Sequence, residues 1–136
     1  MAVMSQEIKD LFEKVSDVVF ATADADAQPN ACIVGMKFVI DDETIYLSDQ
    51  FFNKTLANIK ENTKVAVVFW EGHEAFQIHG TASYVNEGEQ FEELSARVNA
   101  AFESKGMPIR AKGGVFVHVD GVYSSAPGPQ AGAQLA

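Results

Sequence analysis

The chain has 136 residues, of which 47% are hydrophobic and 21% are charged, and its net charge at pH 7 is −9. This length suits one domain, and this composition excludes an intrinsically disordered protein. Because the negative charge repels nucleic acids and anionic membranes, we expect neither of them as a partner.

Several other classes of protein are disfavoured by the pattern of the chain. The single cysteine, Cys32, excludes an intramolecular disulfide and a multi-thiolate metal site. The three histidines lack the spacing of metal ligands, so we predict no metal site. No window approaches the roughly 18–20 apolar residues of a membrane span, and the first residues lack the features of a signal peptide. We therefore expect a cytoplasmic protein.

Hydrophobic periodicity and turn residues divide the first half of the chain into one helix and three strands. The predicted elements are a helix over 5–15 and strands over 17–22, 30–40 and 44–48. Gly35, at the centre of the longest strand, indicates a bulge, a bend or the close approach of another group. Lys37, on the same strand, is expected to extend outward to solvent.

The second half of the chain is divided into helices and strands by the same signals. The predicted elements are a short helix that begins after Asn53, strands over 63–70 and 75–85, a helix over 88–105 and a strand over 115–123. We expect one domain over residues 1–125 and a Pro/Gly/Ala-rich tail over 126–136. The tail has no periodicity and is predicted either to be disordered or to lie across a partner.

Six strands in hairpin order predict a mainly β, antiparallel fold. Short strands in a small domain must hide their edges, and a closed or split barrel does so best. We expect the helices to pack as caps on this barrel and a dimer to cover what remains exposed.

The start of the short helix has the features of an anion site. Asn53 is predicted to be the N-cap, so Lys54 and Thr55 lie in the first helical turn. The helix dipole already places partial positive charge there, and a lysine adds to it. Free N–H groups, an amine and a hydroxyl together favour a phosphate ligand, although a solvated lysine beside an ordinary cap gives the same local pattern.

The order of elements over residues 5–123 resembles the pyridoxamine 5′-phosphate oxidase-like, FMN-binding split β-barrel proteins. The most specific part is the run from Thr44 to Trp70, which contains NKTLANIKEN and then TKVAVVFW, and FQIHGTA follows later. The resemblance implies a six-stranded antiparallel split barrel. It also implies a homodimer with FMN bound in clefts at the subunit interface.

The resemblance also assigns roles to individual residues. Lys54 and Thr55 would hold the FMN phosphate, beside Asn53, whose position is often arginine in the oxidase itself. Residues on two strands would contact the flavin ring and ribityl chain, and one residue would reach in from the other subunit. These are Ala31, Cys32, Ile33, Val34, Leu47 and Ser48, with Gln77 from the other subunit. An apolar wall and a separate anion seat are what a flavin nucleotide needs.

Two departures argue against oxidation of pyridoxamine phosphate. The family arginine that begins the flavin-facing strand is replaced by Cys32, and no basic residue follows His118. Cys32 itself is as well explained as a small hydrophobic residue of the strand. The pattern favours a small FMN oxidoreductase or electron carrier, with a nicotinamide nucleotide or a redox protein as electron donor. The alternatives are a non-catalytic flavin- or haem-binding module and a deazaflavin-dependent reductase, and no catalytic residue is identified.

Overall fold

The computed structural model describes residues 2–136, which form three helices and seven strands. The elements are α1 (Gln6–Lys14), β1 (Val18–Ala23), β2 (Pro29–Val34), β3 (Lys37–Asp41), β4 (Thr44–Asp49), α2 (Lys54–Glu61), β5 (Lys64–Glu71), β6 (Glu74–Val85), α3 (Glu89–Ser104) and β7 (Gly113–Ser124). The mainly β class with capping helices is confirmed.

All seven strands belong to one antiparallel sheet with the order β2-β1-β5-β6-β7-β4-β3. In a flat sheet, β2 and β3 would lie about 29 Å apart, because neighbouring strands are about 4.8 Å apart. Only Gly35 and Met36 connect β2 to β3, and this link spans at most about 11 Å. The sheet therefore curls until its two edges approach each other, which gives a split barrel.

The predicted strand over 30–40 and the count of six strands are wrong, because that segment forms two strands. The chain pairs with β1 up to Val34 and then with β4 from Lys37 onward. At Gly35, a Cβ atom would lie 3.3 Å from Asp17 Oδ1, so a side chain would crowd this crossing. The close approach that the glycine indicated is thus the passage from one edge of the sheet to the other.

The barrel interior is filled by aliphatic and aromatic side chains from the strands, and α1 packs over one opening. Phe12 of α1 meets Phe69 of β5 edge to face, with ring centroids 5.3 Å apart. Ile8 and Leu11 are buried on the same face of the helix. Ser5 begins α1 as its N-cap and accepts a hydrogen bond from the N–H of Ile8.

Lys37 is buried rather than extended into solvent, so that expectation is wrong. Its Nζ donates to Val15 O at 2.6 Å, at the C-terminal end of α1, and lies 5.7 Å from the ring centroid of Phe12. Burial lowers the pKa of the amine, and Glu13 and Asp17 oppose this change. The free carbonyls at the end of a helix attract a cation, and the chain position of Lys37 does not reveal this partner.

The tail is ordered, so the disordered alternative is wrong. It turns after Ser125 and returns antiparallel to the end of β7, with Ser124 N donating to Ala133 O at 2.9 Å and Leu135 N donating to Val122 O at 2.7 Å. The pairing of β4 with β7 ends at His118, so the later part of β7 has a free edge on that side, which the tail covers. A tail that lies across a partner remains a prediction, as does the domain boundary at residue 125.

Two features are missing from the part of the chain that the structure describes. None of its helices is long and apolar enough to cross a membrane. No group of three or more His, Cys, Asp or Glu side chains comes close enough together to hold a metal ion.

Candidate cofactor-binding site

A cavity of about 560 Å³ opens where the ends of β2 and β4 meet the turn before α2 and the segment after α3. This volume falls within the range of roughly 300–1,000 Å³ that is usual for small-molecule sites. Its lining is mostly apolar and includes four of the predicted cofactor residues, which are Cys32, Ile33, Val34 and Ser48. Phe51 and Met107, both exposed, stand at its mouth.

The β2 residues alternate between the two faces of the sheet, as a strand requires. Ala31 and Ile33 face outward, and Ile33 is 64% exposed, whereas Val34 is buried and Cys32 is partly buried. On β4, the Leu47 side chain is enclosed in the barrel core. The two strands therefore present a mixed wall to the cavity, with side chains mainly from β2.

Ser48 ends the cavity wall on the β4 side. Its side chain is almost fully buried, its hydroxyl donates to Gln50 Oε1, and its N–H donates to Met36 O at 2.9 Å. This last bond joins the end of β4 to the link between β2 and β3. The two walls of the cavity are thereby fixed to each other.

The turn between β4 and α2 is held by a buried carboxylate that the sequence did not reveal as a site residue. Asp49 is 0% exposed, and its Oδ1 accepts from the N–H of Phe52 at 2.7 Å. Its Oδ2 accepts from the Tyr84 hydroxyl at 2.6 Å. Burial and the neighbouring carboxylate raise the pKa of Tyr84, so this hydroxyl keeps its proton and remains a donor.

Lys112, just before β7, completes the contacts of the turn. Its Nζ donates to Phe52 O at 2.8 Å and lies 3.9 Å from Asp49 Oδ1. Both peptide groups of Phe52 are therefore bound, one through its N–H and the other through its carbonyl. Gly113 makes room for this arrangement, because a Cβ atom there would lie 2.0 Å from the Tyr84 hydroxyl.

The short helix α2 starts where the sequence indicated, with Asn53 at the predicted N-cap position, but the expected capping by its side chain does not form among the described residues. Asn53 has φ −122° and ψ −78°, outside the extended region usual for an N-cap, and its side chain makes no capping hydrogen bond within residues 2–136. The first turn of α2 contains no acidic residue, and Lys54 is exposed. Because the first N–H groups of a helix have no partner inside the helix, this end favours an anion.

Thr55 connects the start of α2 to the wall of the cavity. Its buried hydroxyl accepts from Asn30 Nδ2 at 3.1 Å and donates to Cys32 Sγ at 3.4 Å. Asn30 Nδ2 also donates to Thr22 Oγ1 of β1 at 3.2 Å, and the Asn58 amide donates to the same hydroxyl at 3.0 Å. Burial raises the pKa of the Cys32 thiol, and the bond from Thr55 opposes that change.

Gln77 lies apart from the cavity, on the outer face of β6. Its Nε2 donates to Ser125 Oγ at 3.3 Å, and its Oε1 lies 3.1 Å from His79 Nε2. His79 and Tyr123 line a second, open groove of about 500 Å³ on this face. The structure thus brings together the other predicted segments within one chain, while Gln77 could join them only from a second copy.

Residues 4–124 match the family model described as pyridoxamine 5′-phosphate oxidase. The chain belongs to this family. A curated relative, an uncharacterized protein from Methanocaldococcus jannaschii, is 34% identical over 125 residues, which cover 89% of this chain and 81% of that protein.

Solved structures of several proteins share this fold. HupZ from Group A Streptococcus is 25% identical, with a TM-score of 0.78 over 98% of this chain and 99% of that one. An FMN-binding protein from Syntrophomonas wolfei is 19% identical, with a TM-score of 0.74 over 87% and 83% of the two chains. The haem storage protein HutZ from Vibrio cholerae is 18% identical, with a TM-score of 0.67 over 92% and 97%. An F420 reductase also has this fold, at 15% identity and a TM-score of 0.63 over 84% and 94%.

Proposed function

We propose that this pyridoxamine 5′-phosphate oxidase family member is a homodimeric FMN-binding flavoprotein that acts as a small oxidoreductase or electron carrier. The observation that carries this proposal is the direct bond between the two halves of the site. Thr55, in the first turn of α2, touches Cys32 on the cavity wall at 3.4 Å. A phosphate seat and an apolar wall therefore lie next to each other, as a flavin nucleotide requires.

The start of α2 would hold the phosphate. Lys54 supplies a mobile positive charge, and the free backbone N–H groups of the first turn supply donors in fixed directions. The Thr55 hydroxyl already donates to Cys32, so its proton reaches a phosphate only if that bond is released. The net charge of −9 makes such a local seat necessary, because the protein as a whole repels anions.

The cavity would hold the ring system. Cys32 and Val34 provide apolar contact, and Ser48 and Gln50 provide polar groups at the other wall. A bound flavin supplies the redox chemistry itself, while the residues of this chain bind it, orient the ring and exclude water. We propose a nicotinamide nucleotide or a redox protein as the electron donor.

The outer face of the sheet would form the dimer interface. Ile33, Val19 and Val68 lie side by side on adjacent strands in one apolar row, which ends at Gln77. Trp70, 47% exposed, stands on the neighbouring part of the same face. Burial of such a surface favours association, and a second copy would bring its Gln77 toward the cavity of the first.

The phosphate seat is tested by a pair of lysine variants in the same helix. Lys54→Ala removes the charge at the start of α2, and Lys60→Ala removes the same charge from its last turn. We expect the dissociation constant for FMN, measured by fluorescence titration, to rise about tenfold or more for the first variant, because a charge-assisted contact is lost. An equal effect of both substitutions, or of neither, would contradict the assignment.

The nature of the cofactor is tested separately. Because HutZ stores haem and an F420 reductase has the same fold, the absorption spectrum of the freshly purified protein decides between FMN, haem and deazaflavin. We expect a flavin spectrum, and mass spectrometry of the released chromophore should identify FMN. Steady consumption of NADH or NADPH with an added acceptor would support an oxidoreductase, whereas a flavin protein without turnover would be a carrier or a store.

A further inference from the structure

The two peptide groups around Phe52 form the last fixed point of the chain before the phosphate seat. The N–H of Phe52 donates to Asp49 Oδ1 at 2.7 Å, and its carbonyl accepts from Lys112 Nζ at 2.8 Å. Only Asn53 separates this residue from Lys54. Any rotation of the Phe52 peptides would therefore change the direction of the first N–H groups of α2.

The carboxylate that holds this point is costly to bury and is accordingly well bound. Asp49 is fully buried, and it accepts from the Phe52 N–H and the Tyr84 hydroxyl, with the Lys112 amine 3.9 Å away. The backbone of Lys112 also donates to Asp49 O at 2.9 Å. The turn, β6 and the segment before β7 are thus joined at a single buried charge.

The lack of a capping hydrogen bond at the start of α2 makes the contacts of Asp49 and Lys112 with Phe52 more important. The Asn53 side chain makes no capping bond within the described residues, so it does not fix the direction of the helix start. Neither Tyr84 nor Lys112 lines the cavity. Their contacts therefore bear on the seat through Phe52 and not through direct contact with a ring in the cavity.

We propose that Asp49, Tyr84 and Lys112, which together we call the clamp, are positioning residues that orient the start of α2 for the phosphate of the cofactor. This inference rests on the proposed FMN function and adds to it three residues that do not line the cavity. Phe52 does line the cavity, but the start of α2 follows directly after it, so these residues should affect a ligand with a phosphate much more strongly than a ligand without one.

Riboflavin is the matched probe, since it has the ring and ribityl chain of FMN without the phosphate. We would measure the dissociation constants of both ligands for the wild type, Tyr84→Phe and Lys112→Met, with Lys60→Met as the control for loss of a lysine charge. We expect the FMN constant to rise about tenfold in the first two variants and the riboflavin constant to stay within about twofold, because one hydrogen bond to the clamp is lost. The control should leave both constants unchanged.

Each other outcome overturns a specific statement. If Tyr84→Phe and Lys112→Met weaken FMN and riboflavin equally, the residues have a general structural role and the inference fails. If they weaken neither, the clamp does not position the seat. If the wild type binds FMN no more tightly than riboflavin, the proposed phosphate seat itself is wrong. Amide exchange of Phe52 in the ligand-free variants should become faster, which tests the clamp independently of any flavin.

Discussion

Cys32 lines the cavity and contacts Thr55 at the start of α2, yet it is not an activated thiol. Burial raises its pKa above the ordinary value of 9.0, and only the bond from Thr55 opposes this change. A nucleophilic cysteine needs a lowered pKa and an electropositive environment, so this one resembles a packing residue that also accepts a hydrogen bond. This side chain is thus neutral at physiological pH.

This description predicts slow alkylation. At pH 7.5 we expect iodoacetamide to modify Cys32 in the folded protein at least about tenfold more slowly than in the urea-unfolded chain, because the thiolate is scarce and partly enclosed. The rate should still be increasing with pH above 9, because the raised pKa leaves the thiol incompletely ionised there. Thr55→Val should slow the reaction further, because it removes the donor that lowers the pKa. Rapid labelling at neutral pH would contradict this account.

Single side chains were the hardest part of the site to predict, because their partners are distant in the chain. Asp49 contacts Tyr84 of β6 and Lys112 just before β7, both far away in the chain, and nothing in its local pattern indicates burial. Lys37 likewise depends on the end of α1, which a strand pattern does not show. The position of Lys54 at the start of α2 was easier to predict, because a helix start follows from the local sequence pattern.

At the scale of elements, the tail acts as an additional edge of the sheet. Its backbone bonds to Val122 and Ser124 cover a stretch of β7 that β4 leaves open. Ser125, the residue just before the tail, accepts from Gln77, which is proposed to reach the partner's cofactor. The low-complexity composition of 126–136 concealed this pairing, because backbone bonds leave no hydrophobic period.

A chain that ends at Ser125 tests the role of the tail. We expect its free energy of unfolding, measured by urea denaturation, to fall by about 1–2 kcal/mol, because several backbone hydrogen bonds are lost. The amides of Val122 and Ser124 should exchange faster, whereas that of Val117, which lies where β4 still covers β7, should not change. Unaltered exchange at all three amides would show that the tail does not pair in solution.

The elements themselves were largely predictable, because helices and strands follow from local periods. The exception is the strand over 30–40, where the apolar run continues through Gly35 although the pairing partner changes from β1 to β4. Periodicity records which residues are buried and does not record which strand they pair with. A break between two buried strands therefore looks like one long strand.

At the scale of the molecule, the apolar row of Ile33, Val19 and Val68 is the proposed dimer interface. Val68→Glu places a charge in the middle of this row, at a residue that does not line the cavity. We expect sedimentation to show a monomer where the wild type is a dimer, with weaker FMN binding, because Gln77 of the partner subunit is lost from the site. Val3→Glu, at an exposed residue elsewhere, should change neither property.

If Val68→Glu stays dimeric, the interface lies on another surface and Gln77 has no route to the cofactor.

The split barrel could be predicted from hairpin order together with the family resemblance. Its strand order could not, because pairing between the first and last parts of the chain depends on the curl of the whole sheet.

Gly35 and Met36 join the two borders of the sheet covalently, and this has a mechanical consequence. The two edge strands, β2 and β3, cannot separate at this point, because a link of only two residues holds their ends close together. We expect opening motions to be largest at the far ends of β2 and β3, near Pro29 and Asp41, which no short link joins. A large planar ligand would therefore enter the cavity beside its most rigid part, the link formed by Gly35 and Met36.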